Sequence, residues 1–403
     1  MLERRREAAA AAWNLSEGVV LVEAGQPVPI PGRGDPTYPF RAHSEYLWLT
    51  DRERPGGIVA YDPAQGWAEF VVPVTTEELL WTGLESDREG VPDGTRPIDE
   101  LAAFVAGREP RMLGATADPD QELRDALTRA RRPKDDVELE RMRVAATATE
   151  AGFAELRRLV EPGRTERELQ VALEAAFMSN GGDFLAFETI VAAGDHAAVL
   201  HFTPTLRELR GGDLLLVDAG AEHKGYAADV TRTYPIGERF GAEQQLAHDT
   251  IHAALDRAIA ACRPGTQWGD VHRTAALVIA DGLTELGVLR GNAETLVESG
   301  AVRLFFPHGI GHLVGLGVRD TGAASDEPSS PGLRLDIPLA ARQTWTVEPG
   351  LYFVRPLLAR ERGHDGVNWD RVDELLDFGG VRLEHDVLIT DDGCEILTAS
   401  IPL

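Results

Sequence analysis

The sequence predicts a mixed α/β protein with a smaller N-terminal domain, residues 1–132, and a larger C-terminal domain, residues 133–403. Throughout the chain, short apolar segments with the character of strands are interspersed with stretches of helical periodicity. A length of 403 residues suits two or three domains of about 150 residues each. The basic, proline-containing segment at residues 131–134 is the expected boundary between the two domains.

The N-terminal domain alternates predicted strands and helices. An alanine-rich amphipathic helix is expected at its start, within residues 1–17. Apolar runs bounded by glycine and proline predict strands at residues 18–25, 45–50, 56–62, 68–74 and 109–116. Periodic segments predict helices at residues 74–84, 97–107 and 116–133.

The C-terminal domain begins with a long predicted helix, residues 135–160, and contains a weak internal repeat. The segment from residue 161 resembles the segment from residue 263, with their Pro-Gly pairs 102 residues apart. In the first copy Thr165 and Glu168 match a capping box, so a helix is expected to start there. Each copy is followed by strand-like sequence, which predicts a domain with pseudo-two-fold symmetry and a central site.

Residues 211–237 organise that site. An apolar run at residues 214–217 ends in Asp218, and a second strand-like run carries Asp229, which together predict a β-hairpin. If the turn is centred on His223 and Lys224, the two aspartates face each other with Cβ atoms about 4.5–5.5 Å apart. Two opposed, poorly solvated carboxylates repel each other, and a metal ion is the simplest counter-charge.

The second half supplies further ligand types. Glu348 and Glu384 lie in its two strand-like segments, and His308 and His312 lie in a glycine-rich stretch that favours a strand or loop. Four carboxylates and one imidazole form a hard, oxygen-rich set that suits Mn²⁺, with Fe²⁺, Co²⁺ or Zn²⁺ as alternatives. The set suits two ions better than one, and paired ions lower the pKa of a water between them.

Composition excludes several classes of function. The formal charge is −26, from 66 acidic and 40 basic residues, which disfavours nucleic acid or an anionic membrane as the main partner. No apolar run approaches the about 20 residues of a membrane span. The two cysteines lack metal-type spacing, so a reducing, cytoplasmic location is expected.

Four motifs identify a family resemblance: VDAG followed by GYAADVTRTYP, FFPHGIGHLVGLGV, TVEPGLYF and FGGVRLEHDV. In order and spacing they resemble the "pita-bread" metallopeptidases, which include methionine aminopeptidase, aminopeptidase P and prolidase. The resemblance covers residues 134–400, and the N-terminal part looks like the smaller domain of prolidases and aminopeptidases P. It implies a dinuclear centre in which Asp229 and Glu384 bridge and Glu348 is also the general base; the implied ligands are Asp218, Asp229, His312, Glu348 and Glu384.

Finer matches favour prolidase, a dipeptidase for Xaa-Pro. The segment from residue 368 resembles the one that bacterial prolidases have before their last metal ligand. Arg334 stands fourteen residues before Glu348, where prolidases have the arginine that binds the dipeptide carboxylate; an ordinary surface arginine is the alternative. Aminopeptidase P, acting on longer peptides, is the close alternative function, and a non-catalytic pita-bread binding protein is the distant one.

The resemblance also implies roles around the metals. His201 and His308 match histidines near the scissile carbonyl, Arg382 matches an arginine that supports the site, and Phe187 and Val318 match positions that line the proline pocket. Core packing explains the last two equally well. Where the family pattern normally has His-Asp, this chain has Arg319 followed by Asp320, and we expect Arg319 to be a second electrostatic anchor for substrate.

The expected partner is a small peptide with proline in second position. By resemblance a homodimer is also expected, with an N-terminal segment that closes the neighbour's site.

Overall fold

The computed structural model describes residues 1–82, 90–330 and 332–403. Within them the chain forms two units, Met1–Arg131 and Arg132–Leu403. Both units mix helices with strands, which confirms the predicted α/β class. No helix in these ranges has both the length and the apolar character needed to cross a membrane.

The described residues of the N-terminal unit form one five-stranded sheet with the order β4-β3-β2-β1-β5. Its central strand β1 pairs antiparallel with β2 and parallel with β5. The elements in chain order are α1 (Leu2–Trp13), β1 (Val20–Glu23), α2 (Ser44–Thr50), β2 (Ile58–Asp62), β3 (Gly66–Val71), α3 (Thr76–Thr82), β4 (Arg96–Pro97), α4 (Leu101–Val105), β5 (Arg111–Gly114) and α5 (Gln121–Arg131).

One of the elements predicted for this unit is wrong. Residues 45–50 form helix α2, so the strand predicted there is wrong. The His43 side chain accepts a hydrogen bond from the Glu45 N–H and caps the helix. All six residues are buried, so the segment has no exposed face to distinguish a helix from a strand. Of the helix predicted at 74–84, residues 83 and 84 lie outside the described residues.

The described residues of the C-terminal unit form four small sheets packed with helices. Their strand orders are β10-β9-β6, β11-β8-β7, β12-β15-β16 and β13-β14. The elements are α6 (Asp136–Leu159), α7 (Glu166–Ser179), β6 (Phe184–Leu185), β7 (Ile190–Ala193), β8 (Leu214–Ala219), β9 (Ala221–His223), β10 (Tyr226–Ala227), β11 (Val230–Pro235), α8 (Ala242–Ala261), α9 (Trp268–Glu285), α10 (Ala293–Glu298), β12 (Thr344–Val347), β13 (Gly350–Tyr352), α11 (Arg355–Arg360), α12 (Trp369–Glu374), β14 (Gly380–Arg382), β15 (His385–Ile389) and β16 (Cys394–Ile396).

The internal repeat is visible in the helices of this unit. Helix α7 begins at Glu166 and helix α9 at Trp268, the same spacing as the Pro-Gly pairs that precede them. The capping box predicted at the start of α7 is confirmed, because Thr165 and Glu168 each bond the other's backbone N–H. Each copy leads into antiparallel strand pairs, so the two halves place similar elements around one centre.

The central hairpin has a different register from the one predicted. Lys224 and Gly225 both have positive φ, 50° and 84°, the conformation of a two-residue type I′ turn. With the turn there, Asp218 lies opposite Thr231, so the predicted direct pairing of Asp218 with Asp229 is wrong. Asp229 instead lies in a short break between β10 and β11.

Candidate metal centre and substrate cavity

A cavity of about 840 Å³ lies in the C-terminal unit. Its lining includes every residue singled out from the sequence for catalysis, metal binding or substrate binding. These residues are Phe187, His201, Asp218, Asp229, His308, His312, Val318, Arg319, Arg334, Glu348, Arg382 and Glu384.

Three carboxylates form the centre of the cavity. Asp218 lies on β8, Asp229 between β10 and β11, and Glu384 between β14 and β15. One oxygen from each lies within 4.8 Å of the others, and all three residues are buried. The breaks next to Asp229 and Glu384 interrupt the strand ladders, which allows these side chains to turn towards Asp218.

A hydrogen-bond bridge joins the two halves of the domain at this cluster. The Glu384 N–H donates to the Thr231 carbonyl at 3.1 Å, and the Thr231 hydroxyl donates to Glu384 Oε2 at 2.6 Å. Because Thr231 is the strand partner of Asp218, this bridge sets the distance between the aspartate of the first half and the glutamate of the second.

His312 and Glu348 extend the cluster on its other side. His312 Nε2 lies 3.5 Å from Asp229 Oδ2 and 3.9 Å from Glu348 Oε1. Its Nδ1 lies 3.0 Å from the Leu313 carbonyl oxygen, an arrangement that leaves Nε2 facing the carboxylates as a metal ligand would. Gly311 permits this loop, since a Cβ there would lie 2.0 Å from the Thr346 carbonyl oxygen.

The electrostatics of the cluster fit a bound cation. Burial raises the pKa of Asp229 well above its usual range, and the Asp218 and Asp386 carboxylates raise it further. Burial and the Asp229 charge likewise raise the pKa of Glu384. Asp218 Oδ1 is buried and has no hydrogen-bond partner in the described part of the chain. Divalent metal ions would satisfy this oxygen and offset the repulsion, so the residues present fit the metals predicted from sequence.

Arg382 organises the floor of the site. Its guanidinium donates to Asp218 Oδ2 at 2.6 Å, to the Tyr352 hydroxyl at 2.9 Å and to the Thr231 hydroxyl at 3.0 Å. The residue is 4% exposed. Arg382 therefore orients a ligand carboxylate and does not itself face the open part of the cavity.

His308 has contacts at both ring nitrogens. Nε2 lies 2.9 Å from the Tyr352 hydroxyl and Nδ1 lies 2.8 Å from the Gly309 carbonyl oxygen. The Tyr352 hydroxyl accepts from Arg382, so its own proton is directed to His308 Nε2, and Nδ1 then carries the imidazole proton. Burial lowers the pKa of His308 to about 3. Donation to a substrate carbonyl, the role implied by resemblance, requires His308 to exchange one of these two partners.

The open part of the cavity carries exposed polar groups. His201, Arg319, Arg334 and Glu188 are exposed and line the cavity, and none makes a hydrogen bond or ion pair with another described residue. Phe187 and Val318 are partly buried in its wall. The cavity thus has a buried side, at the carboxylate cluster, and an open side where charged groups are free to meet a ligand.

Four residues around the site were not singled out from the sequence: Glu188, Thr231, Tyr352 and Asp386. Asp386 accepts a hydrogen bond from the Asp229 N–H, and burial raises its pKa to about 8. Thr231 and Asp386 each stand two positions after a ligand in strand-like sequence, and this alternation was the signal available. Glu188 follows Phe187 directly and gave no separate signal.

Comparison with known proteins agrees with this geometry. The model of metallopeptidase family M24 matches residues 140–391, and the model of the aminopeptidase P N-terminal domain matches residues 2–104. The chain belongs to metallopeptidase family M24. The expected pita-bread domain and the smaller domain before it are thereby confirmed, and the cluster described above lies in the M24 domain.

The relatives span both units. The chain is 32% identical to a probable Xaa-Pro aminopeptidase pepP of Botryotinia fuckeliana, over 96% of this chain and 90% of that protein. It is 32% identical to Xaa-Pro aminopeptidase 1 of Streptomyces coelicolor, over 91% of this chain and 78% of that protein. The structure of Pseudomonas aeruginosa aminopeptidase PepP superposes with a TM-score of 0.83 at 28% identity, covering 100% and 95% of the two chains.

Proposed function

We propose that the chain is a metal-dependent Xaa-Pro aminopeptidase, which removes the first residue of a peptide whose second residue is proline. The observation that supports this most is that one cavity is lined both by all five candidate metal ligands and by polar groups that have no partner among the described residues. Relatives named Xaa-Pro aminopeptidase match nearly the whole chain. These matches favour this function over the dipeptidase that the sequence motifs suggested.

The size of the cavity supports the same choice. Sites for small molecules have volumes of about 300–1,000 Å³, and a volume of about 840 Å³ lies in the upper part of that range. A dipeptide would leave part of this space unfilled, whereas a longer peptide would occupy it.

In this proposal the metals are held by the five residues predicted from sequence. These are Asp218, Asp229, His312, Glu348 and Glu384. Two divalent ions, with Mn²⁺ the best match to the donor set, would supply a nucleophile at neutral pH and polarise the scissile carbonyl.

The remaining groups position the substrate and handle protons. Glu348 lies between the two histidines, with Oε1 3.9 Å from His312 Nε2 and Oε2 3.7 Å from His308 Nδ1. It is therefore placed to accept a proton at the reacting centre and pass it to the leaving nitrogen. His201 is a free donor at the cavity wall for the substrate carbonyl, and Phe187 and Val318 offer apolar surface to the proline ring.

The test compares peptides of different length on one enzyme preparation. We expect Mn²⁺-loaded enzyme to cleave Ala-Pro-Ala-Ala with a higher kcat/KM than Ala-Pro, and to leave Ala-Ala-Ala-Ala intact. Chelation should abolish cleavage. No cleavage of either proline peptide with any of the four candidate metals would overturn the proposal.

The second candidate is a Xaa-Pro dipeptidase, favoured by one observation. Arg334 lines the cavity, is exposed and has no protein partner among the described residues. Such a guanidinium suits the carboxylate of a C-terminal proline. A kcat/KM for Ala-Pro that exceeds the value for Ala-Pro-Ala-Ala would select this candidate instead. A non-catalytic binding protein has no need of the clustered, poorly solvated carboxylates.

A further inference from the structure

Arg319 is an arginine at the position where the family pattern normally has a histidine. It follows the loop of His312, lines the cavity, and is exposed. Its guanidinium makes no hydrogen bond or ion pair with any described residue, although the chain has an excess of acidic residues, 66 against 40 basic. A free guanidinium at a binding cavity, in a chain so rich in carboxylates, is available for an anionic ligand.

The backbone beneath Arg319 is fixed. The next residue, Asp320, donates its N–H to the Leu313 carbonyl at 3.2 Å. Its carboxylate lies 2.6 Å from Lys134 Nζ, and these two side chains are 2% and 0% exposed. A buried ion pair of this kind holds its segment in one place, because breaking it would leave a charge without a partner. The backbone at Arg319 is therefore held in place, while its guanidinium has no partner among the described residues.

Arg319 lines the same cavity as the candidate metal ligands His312 and Glu348. Its guanidinium therefore borders the space in which a substrate would react.

Arg334 is the second free arginine of this side. Its neighbour Leu333 approaches Gly309, where a Cβ would lie 2.9 Å from Leu333 Cδ2, so Arg334 belongs to the wall near the His308 loop. Among the described residues that line the cavity, Glu188 is the only carboxylate outside the metal cluster, and it comes from the segment before β7. The two arginines come from the second half of the domain and Glu188 from the first, so the two halves contribute opposite charges.

We propose that Arg319 binds the terminal carboxylate of a short peptide, assisted by Arg334, so that the enzyme prefers peptides that end two residues after the scissile bond. A planar guanidinium offers paired donors that match a carboxylate. This inference rests on the proposed function only in taking the scissile bond as Xaa-Pro. According to this inference, the enzyme carries out the aminopeptidase reaction and also selects peptides whose free C-terminus lies close to the scissile bond.

The kinetic test uses substrates that differ only at the C-terminus. We would compare Ala-Pro-Ala with its amide Ala-Pro-Ala-NH₂ on the wild-type enzyme and on Arg319→Gln, Arg319→Lys and Arg257→Gln. Arg257 is exposed on helix α8 and does not line the cavity, so it controls for loss of a surface charge. Thermal melting confirms that each variant is folded.

The expected acid-to-amide ratio of kcat/KM is at least about tenfold in the wild type, the size of one charge-assisted hydrogen bond. Arg319→Gln should reduce the ratio to about one, mainly through KM. Arg319→Lys should retain part of it and Arg257→Gln all of it. Equal rates for acid and amide in the wild type, or a full ratio in Arg319→Gln, would overturn the proposal. So would an equally fast Ala-Pro-Asp-NH₂, because any nearby anion would then suffice.

A binding measurement separates this inference from the proposed function. Pro-Ala and Pro-Ala-NH₂ contain no Xaa-Pro bond, so calorimetry can measure their affinity without turnover. Tighter binding of the acid, lost in Arg319→Gln, supports the inference even if no peptide is cleaved. Active cleavage of Ala-Pro-Ala with equal binding of the two ligands refutes the inference and leaves the proposed function standing.

Discussion

Asp218 and Arg382 are joined by a hydrogen bond of 2.6 Å from Nη2 to Oδ2, while Asp218 Oδ1 has no partner within the described ranges. One oxygen of the carboxylate is thus fixed by the protein, and the other is left free to bind a metal ion. A ligand held in this way keeps its free oxygen in place before a metal arrives.

Arg382→Gln should therefore weaken metal binding. The substitution removes the charge that orients Asp218, and loss of a residue that supports a ligand typically costs about 10- to 100-fold in metal affinity or activity. Titration of metal-free protein with Mn²⁺, followed by calorimetry, measures the change. Arg382→Lys keeps the charge without the fork and should be intermediate. Unchanged affinity in both variants would show that Asp218 is positioned by its strand alone.

Removal of metal should lower both activity and stability at neutral pH. Without a cation, the buried carboxyl groups of Asp218, Asp229 and Glu384 are left crowded together with the half-buried Glu348, which is costly. We expect dialysis against a chelator to abolish peptide cleavage and to lower Tm, and Mn²⁺ to restore both, since a ligand of the folded state stabilises it. Elemental analysis of the purified protein would identify the resident metal. Full activity of a preparation shown to be free of metal would contradict the proposed function.

Tyr352→Phe should remove the hydrogen-bonded link between His308 and Arg382. The tyrosine hydroxyl accepts from Arg382 Nη1 and contacts His308 Nε2, both at 2.9 Å. Its loss leaves buried groups unsatisfied, at a cost of about 1–3 kcal/mol in the free energy of unfolding. We expect kcat to fall, because His308 loses the group that orients its ring, with a smaller effect on KM.

Urea unfolding and steady-state kinetics measure the two effects of Tyr352→Phe separately. Tyr61→Phe, in the N-terminal unit, is the matched control for loss of a tyrosine hydroxyl. Equal falls in activity for the two variants would count against a link between Tyr352 and the reaction.

The sequence predicted the site better than it predicted the pairing of the strands. Motif spacing was enough to place His312, Glu348 and Glu384 at one cavity, because these residues lie next to glycine turns and strand ends that can be recognised in the sequence. Motif spacing could not fix the hairpin register, because a turn that starts at His223 and one that starts at Lys224 give the same alternation of side chains along the strands. The sequence does not indicate that Lys224 adopts a positive φ. The Mn²⁺ preference, the homodimer and the cytoplasmic location stay predictions.

The strand predicted over α2 was wrong for a related reason. A short apolar run such as residues 45–50 has no exposed face, and burial on all sides removes the periodicity on which the choice depends. Glu188 was missed because an exposed glutamate beside an aromatic residue is ordinary in sequence. Only the structure shows that it shares a cavity with Arg319 and Arg334.

Glu188→Gln should change the preference for the first residue of the substrate. Glu188 is exposed at the cavity and has no ion-pair partner in the described part of the chain. It comes directly before the segment that leads into β7, whose Ile190 pairs with Asp218, so it lies near the metal cluster. A free carboxylate there should favour a cationic Xaa.

The measurement for Glu188 is the ratio of kcat/KM for Arg-Pro-Ala to that for the uncharged Leu-Pro-Ala. We expect Glu188→Gln to lower this ratio about 3- to 10-fold, the range of a partly exposed charge pair. Glu188→Asp retains the charge and should retain most of the preference. A ratio that does not differ among the three enzymes would place the Xaa side chain elsewhere.

His272 should make the protein less stable in mild acid. Burial lowers the pKa of His272 to about 4, and its Nδ1 is a buried atom without a hydrogen-bond partner among the described residues. The unfolded chain binds a proton at this residue near its ordinary pKa of about 6.5, whereas the folded chain does so only near 4. The unfolded state is therefore favoured as the pH falls from about 6.5 to about 4, and this loss of stability reaches at most about 3 kcal/mol.

His272→Gln removes the titrating group and should flatten that part of the stability profile. Urea unfolding at pH 8, 6 and 5, followed by circular dichroism, gives the free energy of unfolding of both proteins at each pH. At pH 8 the imidazole is neutral in both states, so any difference there reports packing alone. His252→Gln, at a partly exposed histidine of helix α8, controls for loss of an imidazole. A wild-type profile that runs parallel to that of His272→Gln between pH 8 and 5 would mean that His272 binds its proton equally well in both states.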